Sequence, residues 1–233
     1  IHGMNQQDLS WVEMHTDDVG AVFADLGEEM GLEPHASGLN SGRRNGVVGT
    51  SKALDQRVET QIEAIRQATA RFEDVNVALA EGYIPDPSGH CVDAKAEGLP
   101  AEWGAMGVHY LRPDVIGVTT VAPRVYGTGL NTDFLKPSVL LYEPQADGSM
   151  RLVGAENVVF EKAWKEAGNQ EGPMSMGRAW DYMADDPNTP SDEAHGFEPH
   201  YDQHVWFVNN PAGQLMPFNP EITCAHHQHA NGQ

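Results

Sequence analysis

From Ser51 onward, apolar residues recur at helical spacing. Leu54, Val58, Ile62, Ile65, Phe72, Val75 and Leu79 fall on one stripe, with Asp, Glu, Arg and Gln between them. Gly82 ends the pattern, and Pro85 and Pro87 forbid its resumption. At 1.5 Å per residue, a helix over 51–81 would be roughly 45 Å long and would lie across most of one domain. Its stripe reads as core packing, not as a cofactor box.

After this segment the pattern changes to period two. Residues 139–143 and 151–160 alternate around a turn at 144–149, where Asp147-Gly148 is a strong hairpin signal. Two more strands are expected, at 204–208, stopped by Asn209-Asn210-Pro211, and at 106–111, stopped by Pro113. Strands grouped after a helix, without regular alternation of the two, predict an α+β fold. The expected architecture is one long amphipathic helix packed on an antiparallel β-sheet, with long irregular loops. The segment 168–199, rich in Gly, Pro and acids, reads as a surface excursion.

Three regions follow from this pattern. Residues 1–50 form an N-terminal extension, with a short helix through Val19, Val22, Phe23 and Leu26 capped by Thr16-Asp17-Asp18, and a break at 37–42. Residues 51–224 form a single α+β domain, and 225–233 a His-rich tail.

With 233 residues, 40% of them apolar, the chain can build a substantial core. No apolar run approaches the roughly 18 residues that cross a bilayer. A net charge of −20, with Lys and Arg numbering only 14, argues strongly against nucleic acid and anionic lipid as partners, since both demand a basic surface. The acidic surface either collects cations or suits salty surroundings, where screening weakens self-repulsion.

Cys91 and Cys224 are the only cysteines and belong to no Cys-x-x-Cys pair, which argues against a thiolate zinc site. They are either a disulfide of an exported protein or two buried thiols of a cytosolic one. The start at Ile1 fits removal of a signal peptide, and the expectation is export with a disulfide.

The chain has no phosphate loop, no Gly-x-Gly-x-x-Gly, no Gly-x-Ser-x-Gly and no Cys-x-x-Cys-His. Asp186-Pro187-Asn188 begins like a calcium loop, but Pro190 and Ser191 stand where that loop needs a ligand and a glycine. What remains is histidine. On the strand 151–160, Leu152, Glu156, Val158 and Phe160 share a face, so Glu156 points inward with apolar groups. An ionised carboxylate there is costly unless paired or bound to a cation. His204 shares a face with Trp206 and Val208, and His109 lies mid-strand between Val108 and Tyr110. Two imidazoles and a carboxylate on three strands would make a site for Fe, Zn, Mn or Cu as a divalent ion. The other reading has these groups hydrogen-bonded to each other or to backbone.

Weaker metal candidates are His200, four residues before His204, and a surface group of His90 with His226, His227 and His229 of the tail. On a strand His200 and His204 would stand about 13 Å apart, which makes His200 a rim group. Tyr110, Tyr142 and His200 are candidate proton donors.

Gly82-Tyr83, Cys91, Met106-Gly107-Val108-His109-Tyr110, Leu140-Leu141-Tyr142-Glu143-Pro144, Leu152-Val153-Gly154-Ala155-Glu156, His204-Val205-Trp206, Asn210-Pro211-Ala212-Gly213, Asn219-Pro220 and Cys224 form a recurring set. In these residues the stretch from about 80 to 224 resembles a group of exported bacterial proteins of uncharacterised function. The resemblance implies export and a Cys91–Cys224 disulfide, and implies no activity. The sequence therefore predicts an exported metal-binding protein with a buried site at His109, Glu156 and His204, catalytic if the ion keeps an open position. Its partner is a metal ion or small molecule. The alternatives are a non-catalytic metal-delivery protein using surface histidines, and a structural or interaction protein of the cell surface.

Overall fold

The computed structural model describes residues 43–188 and 194–227. The helix expected near 16–26 and the break at 37–42 lie outside the described residues. The helical stripe folds as three pieces rather than one helix. α1 (Arg43–Thr69) begins before Ser51, a 3₁₀ turn (Ala70–Glu73) follows, and α2 (Val75–Ala80) completes the run. Asp74 makes the break: its backbone is extended at ψ 106°, and its carboxylate accepts a hydrogen bond from Asn76 N, capping α2. The break rotates the helical phase. Ile62, Ile65 and Phe72 are buried as the stripe requires, but beyond Asp74 Ala78 is buried while Leu79 is 44% exposed. Leu54, at the other end, is also exposed.

The remaining elements are β1 (Ile84–Pro85), β2 (Cys91–Asp93), β3 (Ala105–Leu111), α3 (Pro113–Ile116), β4 (Val118–Thr120), β5 (Tyr126–Gly127) and β6 (Val139–Pro144). After them come β7 (Met150–Phe160), α4 (Glu161–Glu166), β8 (Met174–Ser175), β9 (Arg178–Ala179), β10 (Asp181–Met183) and β11 (His200–Trp206). Seven strands make one antiparallel sheet in the order β1-β3-β6-β7-β11-β10, with β2 also paired to β3. The fold is α+β. The expected β6–β7 hairpin forms, closed by Gln145 N to Ser149 O, with Gly148 at φ +83°. β11 begins at His200, earlier than the sequence suggests. The 168–199 segment is not wholly a surface excursion, since it supplies β10 to the sheet and buries Trp180, Ala194 and Phe197.

The two faces of the sheet carry different cores. α1, the 3₁₀ turn and α2 cover one face, where Ile62 and Ile65 pack with Ala155, Val159 and Val205, and Phe72 packs with Leu140 and Tyr142. The other face holds Leu111, Leu141, Val153, Val158, Phe160 and Trp206. It is covered by the connection carrying Ile116 and Val125 and by Phe197. A bulge lies in the β6–β7 pairing: Leu141 opposes Gly154 while Tyr142 opposes Leu152, so Val153 is extra. It corrects the expectation for 151–160. Val158 and Phe160 share a core with Val153, whereas Leu152 packs on the helix-covered face. Cys91 and Cys224 are bonded, fastening the end of the described chain to β2.

Candidate metal centre

β-Strand alternation sets His204 and Trp206 on the sheet face away from the helices, and the register aligns His204 with Glu156 of β7. Glu156 in turn opposes Val139 of β6, and His109 of β3 opposes Leu141. His109 and Glu156 are therefore on the same face, on strands separated by β6, and their side chains meet above it. His109 Nε2 lies 3.3 Å from Glu156 Oε2, and His204 Nε2 lies 3.7 Å from the same oxygen. One nitrogen from each imidazole and one carboxylate oxygen all fall within 4.8 Å of one another. The rings of His109 and His204 are perpendicular, with centroids 6.0 Å apart.

None of these contacts is a well-formed hydrogen bond. Glu156 Oε2 and both ring nitrogens of His204 are buried with no hydrogen-bond partner among the described residues. Groups of this kind cost about 1–3 kcal/mol each, and more when charged, if nothing satisfies them. Burial opposes protonation of His109, but the Glu156 carboxylate beside it, together with the nearby charges of Asp86 and Asp202, offsets that penalty and raises its pKa. A positive charge is thus favoured between these residues, as a proton or as a metal ion.

His109 is the member of the cluster nearest solvent. Its side chain is 15% exposed, against 5% for Glu156 and 2% for His204. It lies at a break in the sheet edge. β1 and β2 pair with β3 on either side of His109, so the loop 86–90 lies opposite it, held by Asp86 N to His109 O.

The other candidates go elsewhere. His200 is buried but donates through Nδ1 to Glu198 O and turns Nε2 toward Asp202, so it is not part of the cluster. Tyr110 and Tyr142 meet edge to face on the helix-covered face, and the Tyr142 hydroxyl donates to Phe72 O, so neither is a proton donor to this centre. His90 and His226 are exposed, and a ring nitrogen of His227 lies 2.9 Å from Gly89 O. The tail is thereby seated beside His90, but no group of three ligand side chains gathers there among the described residues. His229 lies outside the described residues.

The sequence reading missed Asp202. It is buried, with Oδ1 3.9 Å from His204 Nδ1 and Oδ2 3.6 Å from His200 Nε2. The available signal was alternation: had the strand been started at His200, Asp202 would have fallen on the face of His204. No family model matches the chain, and neither a curated protein nor a solved structure matches it.

Proposed function

We propose that this chain is an exported protein that holds one divalent transition-metal ion between His109, Glu156 and His204. The observation that carries the reading is the convergence of ligand atoms from three strands, those of Glu156 and His204 buried and without hydrogen-bond partners among the described residues. Donor atoms about 2.0–2.1 Å from a tetrahedral ion stand about 3.3 Å apart, close to the spacing of His109 Nε2 and Glu156 Oε2. Charge-assisted hydrogen bonds would instead draw these atoms to about 2.7–2.9 Å. Two neutral imidazoles and a carboxylate suit Fe, Zn, Mn or Cu.

Three protein ligands leave a coordination position for water or a small molecule, and exchange takes place from the side of His109. An ion held there supplies Lewis acidity to whatever occupies that position. Export is supported by the Cys91–Cys224 disulfide, which persists in oxidising compartments. No helix among the described residues is long and apolar enough to cross a membrane.

The test is elemental analysis of the full chain after loading with Zn(II) and exhaustive dialysis. Wild type and a variant with His226, His227 and His229 all changed to Ala should each retain one ion. Glu156→Gln should bind more than about 100-fold more weakly, beyond the loss typical of an outer partner. Metal lost with the tail histidines but kept in Glu156→Gln would move the site to the surface and overturn this reading.

A further inference from the structure

Most of the unbonded buried polar atoms on the metal-bearing face belong to one row of side chains, and the row does not stop at His204. Beyond it stands Asp202, two residues earlier on β11 and on the same face. Asp202 Oδ1 has no hydrogen-bond partner among the described residues, nor has His204 Nδ1, and the two atoms face each other at 3.9 Å. The other carboxylate oxygen, Oδ2, lies 3.6 Å from His200 Nε2, and His200 is itself tied through Nδ1 to Glu198 O at 2.9 Å. One oxygen of Asp202 thus faces the ring of His200, and the other faces His204.

The geometry points to Asp202 as the positioning residue of the metal centre. It accepts the Nδ1 proton of His204 and so presents the Nε2 lone pair to the ion. The inference rests on the metal-centre reading and adds an orientation to it. An imidazole that binds a cation through one nitrogen carries its proton on the other, and a carboxylate accepting that proton fixes the tautomer and makes the ligating nitrogen more basic. A shift of about 1 Å closes the His204–Asp202 gap to hydrogen-bond length. Ring stacking on Trp206, with centroids 6.1 Å apart and planes 21° from parallel, restrains the imidazole in the required plane. Asp202 is supported from behind as well. It opposes Asp181 across the β10–β11 pairing, and Arg178 Nη2 binds Asp181 Oδ1 at 2.7 Å, which places a cation next to the two carboxylates.

Two measurements on the full chain test the assignment. The first compares Co(II) affinity, by competition with a chelator, and the Co(II) absorption spectrum in wild type, Asp202→Asn and Glu156→Gln, with apo melting curves as the check on folding. A folded Asp202→Asn should bind Co(II) about 10–100-fold more weakly, with shifted d–d bands, whereas Glu156→Gln should not bind measurably. Wild-type affinity and spectrum in a folded Asp202→Asn would overturn the role of Asp202 and leave the metal centre standing. Failure of wild type itself to bind Co(II) would overturn both. The second measurement needs no variant: long-range ¹H–¹⁵N spectra of the Zn(II)-loaded wild type should show His204 protonated at Nδ1 and metal-bound at Nε2. The opposite assignment overturns the proposal even if Asp202→Asn does not fold.

Discussion

Gly107 adopts φ +91° within β3, two residues before His109, and a Cβ there would lie 2.5 Å from the carbonyl oxygen of Tyr142. Both facts exclude a side chain: the backbone is in the left-handed region, and the obstructing atom is main chain that cannot swing aside. Gly107→Ala should therefore destabilise the fold by about 3 kcal/mol or more, the cost of a strained residue plus displacement of β6. Urea unfolding followed by tryptophan fluorescence reads the loss directly. Because the same strand carries His109, the variant should also bind Zn(II) more weakly than wild type under conditions where it remains folded. Glu156 has no comparable backbone constraint, so its replacement should remove the metal while leaving the apo fold close to wild-type stability.

At the scale of elements, the joint between helices and sheet depends on a few buried hydroxyls. Tyr142 is fully buried, and its hydroxyl donates to Phe72 O in the 3₁₀ turn at 2.6 Å, while Tyr83 donates to Pro137 O at 2.7 Å. Tyr142→Phe keeps the packing but leaves a buried carbonyl without this donor, so it should cost about 1–2 kcal/mol in urea unfolding. Zn(II) affinity should be unchanged, since Tyr142 is on the face opposite His109, Glu156 and His204; a parallel loss of metal would mean that the two faces are coupled. The same elements show what the sequence made legible. The hairpin at Asp147-Gly148, β3 and the inward-facing Glu156 and His204 were readable because turn chemistry and alternation are local. The break at Asp74 was hidden because the residues on both sides continue a helical stripe, and only the cap reveals the change of phase. The bulge at Val153 was invisible for a different reason, since it belongs to the pairing of two strands and not to either alone. The convergence of His109 and Glu156 above β6 was a possibility that alternation permitted and only strand order could decide.

For the whole molecule, one covalent link spans most of the described chain. The Cys91–Cys224 disulfide encloses 133 residues of sequence separation, including β3, β6, β7 and β11. On the chain-entropy account, closing a loop of that length removes about 5 kcal/mol of freedom from the unfolded state. The link acts on a molecule whose net charge of −20 favours expansion through self-repulsion, so its contribution has to be compared at fixed ionic strength. Cys91→Ser/Cys224→Ser should lower the unfolding free energy by up to about 5 kcal/mol, with the denaturant slope rising as the unfolded chain expands. The disulfide also stands at the margin of the candidate metal centre. Cys91 opposes Val108, the neighbour of His109, and the loop 86–90, bonded to the His109 carbonyl through Asp86 N, leads into Cys91. Removing the link frees that edge and the tail seated on Gly89, so Zn(II) should leave the folded double variant faster than wild type, measured by transfer to a chromogenic chelator. Equal release rates in the two proteins would mean that the β2 edge does not control access, and that exchange takes place from another side of the sheet.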